Sequence, residues 1–243
     1  MSTSSLTRRV AGMVLDFALP PRCPACGVIT DELHAFCATC WPSIHFLGDG
    51  GCDTCGLPLE GTEADRCGRC LAEPPKIDRM RGAVGYDDVT RSLAIRLKYG
   101  RKVALARTMA KYLAPLLKGE QVLIVPVPLH RGRLWNRGFN QAQLIAREVA
   151  RVAHAPIAPL ALRRVKRTPS LRGLSGRQRR QAVRAAFIAD PAQVSGRRIV
   201  IIDDVLTTGS TADSCAQALR KAGAGPIELL SWARVVRPVD IMR

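Results

Sequence analysis

Two adjacent carboxylates, Asp203 and Asp204, follow the aliphatic run Ile199-Val200-Ile201-Ile202, and a hydroxyl-rich run, Thr207-Thr208-Gly209-Ser210-Thr211, comes just after them. Two acids leaving an apolar strand are too costly to bury unpaired, so they must face solvent, a metal ion or hydroxyl donors. The hydroxyl run opens a predicted helix over 210–222. Free backbone N–H groups and the positive end of the helix dipole make such a point a phosphate cradle. Gly209 lets an anion approach the backbone, and the hydroxyls of Thr207, Thr208, Ser210 and Thr211 add donors. The segment therefore offers acceptors for sugar hydroxyls beside donors for a phosphate. Thr-Thr-Gly alone is a weak signal; the aliphatic run, acid pair and hydroxyl loop in this order form a specific one.

A second set of chemically capable residues lies near the N-terminus. Of nine cysteines, eight form the C-x-x-C pairs Cys23/Cys26, Cys37/Cys40, Cys52/Cys55 and Cys67/Cys70, separated by 10, 11 and 11 residues. Two thiolates three positions apart on a tight turn grip one metal ion from the same side, and a second turn completes a tetrahedron of sulfurs. Gly27 and Gly56 follow the first and third pairs, where such a turn needs positive φ. Two readings stay open: tandem ribbons, with Cys23, Cys26, Cys37 and Cys40 on one zinc ion and Cys52, Cys55, Cys67 and Cys70 on another, or an interleaved pairing. With every ligand supplied by protein, these are structural sites, and zinc supplies much of the folding free energy of so small a module. Cys215 stands apart on a predicted helix as a core residue.

These groups need elements to hold them. An amphipathic helix is expected over 1–19, with Val10, Met13, Val14, Phe17 and Ala18 at helical spacing. The double zinc ribbon is expected over 20–75, closed by the hinge Pro74-Pro75, and an α/β domain over 76–243. There the pattern predicts strands over 82–86, 121–127, 157–162, 198–203 and 227–233, and helices over 89–99, 103–117, 139–153 and 210–222. Alternation of this kind implies a doubly wound, mostly parallel sheet with right-handed crossovers. Ligands bind such sheets outside the carboxyl ends of the strands, where Asp203 and Asp204 fall.

Charge is unevenly distributed. The net charge is +17, yet residues 1–75 hold 5 Lys+Arg against 9 Asp+Glu, and residues 76–243 hold 32 against 11. So basic a domain attracts polyanions without reading sequence, and nucleic acid is the partner it fits best. From Arg163 to Arg184 there are nine Lys or Arg residues and no acid. Within this segment Arg163, Arg164, Lys166, Arg167, Arg172, Arg177, Arg179 and Arg180 are expected to meet a phosphate backbone. Few aromatic residues interleave with them, so base stacking is not expected there. No apolar run reaches the length of a membrane span, and a cytoplasmic protein is expected.

The cysteine pairs and the acid-pair segment, with Val125-Pro126-Val127-Pro128-Leu129, Arg137-Gly138-Phe139-Asn140-Gln141 and Leu97-Lys98-Tyr99, resemble the ComF family over nearly the whole chain. That family joins a double zinc ribbon to a type I phosphoribosyltransferase-like domain and is associated with DNA uptake in natural competence. The resemblance implies that Asp203 and Asp204 bind the ribose hydroxyls of phosphoribosyl pyrophosphate, directly or through magnesium. It implies further that Thr207 to Thr211 cradle the 5′-phosphate, and that Arg131, Arg133 and Arg137 hold the pyrophosphate. One departure stands out. The family's Thr-x-x-Gln has Leu171 three residues after Thr168, and the Asn expected before Ala186-Phe187 is Ala182. Three functions follow: a phosphoribosyl pyrophosphate- and single-stranded-DNA-binding accessory factor, a phosphoribosyltransferase acting on a base or amine, or a nucleotide-responsive scaffold that takes a protein partner through its ribbons.

Overall fold

A computed structural model describes residues 20–59, 64–166, 178 and 185–236. The helix expected over 1–19 lies outside these residues, as do Arg167, Arg172, Arg177, Arg179 and Arg180. Among the described residues the elements are helix α1 (Gly68–Ala72), strand β1 (Arg79–Gly85), α2 (Asp88–Tyr99), α3 (Leu105–Leu113), β2 (Leu123–Pro126), α4 (Arg131–Arg137), α5 (Gln141–Val152), β3 (Leu162–Arg164), β4 (Phe187–Ala189), α6 (Pro191–Val194), β5 (Ile199–Leu206), α7 (Ser210–Lys221) and β6 (Ile227–Arg234).

Strands β1, β6, β5 and β2 form a four-stranded sheet in that order, parallel throughout. Their aliphatic runs are buried on both faces, as a doubly wound sheet requires. One face carries α2, α3 and α5, through Leu93, Leu97, Met109, Leu113, Ile145 and Val149 against Ile124, Val200, Ile202 and Trp232. The other carries α7, through Ala212, Cys215, Ala216 and Leu219 against Val125, Ile201 and Leu229. Trp232 is wholly buried, and its indole N–H donates to the Thr90 carbonyl at 3.2 Å. Cys215 is a core residue, as expected.

The expected α/β architecture is therefore the observed one, with local corrections. The strand expected over 157–162 does not form. Ile157 makes a single parallel bridge to Ile124, and the chain then turns away. Pro156 and Pro159 flank Ile157 and remove the N–H groups that a longer ladder needs. Leu162–Arg164 pairs instead with Phe187–Ala189 as a separate antiparallel hairpin that packs on the α7 side. Strand β5 runs on through the acid pair to Leu206, because β6 pairs with it beyond Asp203, at Val205↔Ala233 and Leu206↔Arg234.

The ribbons do not form a detached module. The first cluster shares the α2/α3 side core through Cys23, Phe36 and Ile44, and the second shares the α7 side core through all four of its cysteines and Leu57. Between them, residues 45–47 lie antiparallel on β1, with the Gly85 N–H donating to the His45 carbonyl at 2.7 Å and the Leu47 N–H to Ala83 at 3.1 Å. This contact covers what would otherwise be an open sheet edge. After Pro74-Pro75, the Lys76 N–H donates to Asp213 Oδ1 at 2.8 Å, and Arg220 pairs with Asp78 at 2.6 Å. The expected hinge is thus pinned to α7.

Candidate ligand site and zinc centres

The acid pair stands in the carboxyl-terminal half of β5, beside α7 and the ends of α2 and α4. Gly209 precedes α7 at φ +78°, a conformation that side chains resist, and no side chain caps the helix. Its first amides are therefore available to an anion. The Thr208 and Ser210 hydroxyls share a hydrogen bond of 2.8 Å. Asp203 Oδ1 accepts from the Asp204 N–H at 2.9 Å, and Asp204 is buried. Lys98, at the end of α2, forms an ion pair with Asp204. Gln141 Nε2 reaches Asp204 Oδ1 at 3.4 Å, and Gln141 Oε1 accepts from Arg137 at 2.6 Å. Asn140 fixes the start of α5: its side-chain N–H donates to the Val127 carbonyl at 3.0 Å and its oxygen accepts from the Ala142 N–H at 3.1 Å. Residues that sequence singled out in separate motifs thus form one chain from Arg137 through Gln141 to Asp204 and Lys98.

Charge balance in this cluster is uneven. Burial, followed by the neighbouring Asp204 charge, pushes the Asp203 carboxyl up to about 8, against the pull of Lys98. Burial lowers the proton affinity of Lys98, but the Asp204 charge and hydrogen bond, with the Asp203 charge, outweigh it and hold the ammonium above its ordinary value. The Asp203 charge is thus disfavoured where it stands. A hard cation or hydroxyl donors would relieve it, and the donor set of carboxylate and hydroxyl oxygens suits magnesium.

The three arginines expected to share one pyrophosphate separate onto two sides of α4. This short helix is capped by His130, whose Nδ1 accepts from the Gly132 N–H at 3.2 Å, and ends at Gly138. Arg133 and Arg137 are partly buried, while Arg131 is exposed beside Trp135. The Arg137 guanidinium lies 5.0 Å from the centre of the Tyr99 ring. Two of the residues expected to meet nucleic acid, Arg163 and Lys166, are exposed. Arg164 departs from that expectation. It is partly buried, with its guanidinium 5.2 Å from the centre of the Phe187 ring. Burial lowers its pKa, as does the Arg133 charge, while Cys215 and Asp203 act in the opposite sense. Arg164 therefore belongs to the surroundings of the acid pair. The hairpin register turns it inward while Arg163 points out, which no spacing in the sequence revealed.

The eight paired cysteines gather as Cys23, Cys26, Cys37 and Cys40, and as Cys52, Cys55, Cys67 and Cys70, with the sulfurs of each set within 4.8 Å of one another. The tandem pairing holds and the interleaved one does not. Four sulfurs at this spacing fit structural zinc. Gly27 and Gly56 take φ of +84° and +65° as expected. The second cluster is the deeper: all four of its cysteines are buried, whereas Cys26 is exposed. Arg234 on β6 donates to Cys55 Sγ at 3.4 Å, and the hydrogen bond from Cys70 leads the effects that draw the Cys55 thiol down to about 5. Between Cys67 and Cys70, Arg69 reaches back and donates to the Thr208 carbonyl at 2.7 Å. The second ribbon thus touches the hydroxyl-rich 207–211 loop, a contact between residues 139 positions apart that the sequence conceals.

Fold and site together define a parallel α/β protein with an acid pair and an uncapped, hydroxyl-rich helix start at the strand ends, fused to a ribbon whose two four-cysteine clusters fit structural zinc. Residues 14–71 match a family model described as a double zinc ribbon domain. Competence protein F of Haemophilus influenzae is 31% identical over 220 residues, covering 82% of this chain and 96% of its own. DNA utilization protein YhgH of Escherichia coli K12 is 34% identical over 193 residues, covering 76% and 84%. The chain belongs to the ComF family. Among solved structures, the glutamine phosphoribosylpyrophosphate amidotransferase of B. subtilis aligns over 57% of this chain and 30% of its own, at 18% identity and a TM-score of 0.40. The adenine phosphoribosyltransferase of Thermoanaerobacter pseudethanolicus aligns over 57% and 83%, at 20% identity and a TM-score of 0.35. Likenesses this loose bear no weight on function. Among the described residues, no helix is long and apolar enough to cross a membrane.

Proposed function

We propose that this protein binds phosphoribosyl pyrophosphate with magnesium and holds single-stranded DNA on its basic surface, acting in the cytoplasm as an accessory factor in DNA uptake. The observation that carries the ligand assignment is the acid pair at the end of β5, set beside the uncapped start of α7. In this reading Asp203 meets the ribose hydroxyls directly or through the metal, which suits a carboxylate whose charge burial disfavours. Asp204, held by Lys98 and Gln141, fixes the opposite side. Thr207 to Thr211 cradle the 5′-phosphate, and Arg133 and Arg137 meet the pyrophosphate. Magnesium, when bound, supplies charge neutralisation at the pyrophosphate. The DNA half rests on the basic balance of residues 76–243 and on relatives named for competence and DNA utilization.

Calorimetry with phosphoribosyl pyrophosphate and magnesium tests the first half. Wild type binds; a folded, zinc-loaded Asp203→Asn/Asp204→Asn variant does not. A folded, zinc-loaded wild type that fails to bind sinks the assignment. For the second half, affinity for single-stranded DNA falls steeply with added salt.

A second reading, phosphoribosyl transfer, is favoured by Arg164. A base or amine would form a bond to the anomeric carbon as the bond to pyrophosphate oxygen breaks, and pyrophosphate would leave with the electron pair. Arg164, partly buried near Asp203 and Arg133, is suited to the charge developing on that leaving group. Pyrophosphate release that depends on an added base or amine checks this reading.

A further inference from the structure

Trp135 is the most exposed of the large apolar side chains among the described residues, at 88% of its full surface. An indole left in water at that level forgoes the stabilisation that burial gives a large aromatic, so its place in the fold is not explained by packing. Its surroundings are specific. Arg131 precedes it by four residues on α4, which sets both side chains on one outer side of the helix, and both are exposed. On the side of α4 that carries Arg137, a second exposed ring, Tyr99 at 70%, has that guanidinium 5.0 Å from its centre. Arg101 and Lys102 follow Tyr99 and are exposed. No acid occurs between Glu120 and Glu148, so the stretch that supplies α4 is cationic and otherwise neutral.

We propose that Trp135 with Arg131 on one side of α4, and Tyr99 with Arg101 and Lys102 beyond its other side, form two stacking points for the unpaired bases of one polynucleotide strand. The proposal rests on the nucleic-acid half of the function above and supplies that half with a binding surface outside the basic segment 163–184. Exposed rings offer faces on which any base stacks, and neighbouring cations meet the phosphates between bases. The strand must be single, because a duplex keeps its bases stacked on one another. Arg137 joins the Tyr99 point to the ligand site, since the same guanidinium that lies over Tyr99 donates to Gln141 beside Asp204.

The test measures binding of a fluorescently labelled oligothymidylate to the full-length, zinc-loaded protein by anisotropy over a range of salt. Trp135→Ala weakens binding by about tenfold and leaves the salt dependence unchanged, because no phosphate contact is lost. Trp135→Phe keeps most of the affinity. Arg131→Gln lowers the slope of log affinity against log salt by about 0.7, the value of one phosphate on a single strand. Indole fluorescence is quenched on binding in wild type and far less in Trp135→Phe, since Trp232 is buried and Trp41 belongs to the first zinc ribbon, away from α4.

Wild-type affinity in Trp135→Ala/Tyr99→Ala overturns the proposal while leaving DNA binding by charge elsewhere intact. Equal affinity for a duplex of the same length at the same salt also overturns it. So does a wild-type dimer that Trp135→Ala dissociates, which gives this face to a second copy of the chain. A folded wild type that binds no single strand at any salt removes both this surface and the DNA reading beneath it.

Discussion

Arg69→Ala isolates the contact between the second zinc ribbon and the 207–211 loop. A trans peptide unit points its carbonyl and its N–H in opposite directions. By holding the Thr208 carbonyl at 2.7 Å, Arg69 fixes the orientation of the Gly209 N–H on the other side of the same peptide. Without that tether the loop must pass through other orientations, which Gly209 permits. The donor is charged but exposed, so the bond is worth about 1 kcal/mol rather than the larger value of a buried one. If the ligand-bound loop requires the tethered orientation, affinity for phosphoribosyl pyrophosphate falls about fivefold, within a range of roughly three- to tenfold. Calorimetry in magnesium buffer reads the change, with zinc content and melting temperature measured on the same samples. Arg66, another exposed arginine of this ribbon, supplies the control: Arg66→Ala removes the same charge and leaves affinity unchanged. Unchanged affinity in folded, zinc-loaded Arg69→Ala refutes the reasoning. Equal losses in both variants refute it too, since the effect is then long-range charge.

Three further outcomes are expected. Because the folded Asp203 carboxyl is raised to about 8, its contribution to stability is complete below the unfolded pKa of about 4 and is lost as pH rises toward 8. Without metal or ligand, Asp203→Asn is therefore more stable than wild type at pH 8 by about 1–2 kcal/mol, a value reduced from the full shift for water access and Lys98, or roughly 2–8 °C; the advantage vanishes near pH 4, and thermal melts across this range check it. Cys67→Ser, within the buried cluster that shares the sheet core, lowers the melting temperature by about 10 °C or more, while Cys26→Ser at the exposed first cluster costs less than half of that; calorimetric melts with zinc analysis compare them. A Cβ at Gly82 would lie 2.7 Å from the Arg234 Cβ, so Gly82→Ala displaces the arginine that donates to Cys55 and destabilises the fold by about 1–3 kcal/mol in urea unfolding.

The sequence by itself determined much of this protein. Cysteines three apart can only meet at tight turns, so four such pairs specified a ribbon with two metal centres. The aliphatic run before Asp203, and helical spacing over 89–99 and 210–222, specified a buried parallel strand with flanking helices, because period and apolarity are local properties. Asp203, Asp204 and the hydroxyl loop were legible for the same reason: chain connectivity already places them at one strand end. Tertiary structure decided everything that depends on which distant residues meet. It joined Lys98, Arg137 and Gln141 to Asp204, selected tandem over interleaved cysteine pairing, and brought Arg69 to Thr208. Hairpin register turned Arg164 toward the acid pair, and the four-residue spacing on α4 put Arg131 beside Trp135 and away from Arg137. The ribbon itself reads as separate in composition, acidic against basic, yet folds into both faces of the sheet. Composition records charge, whereas docking follows the apolar faces of β1 and α7 that would otherwise meet water.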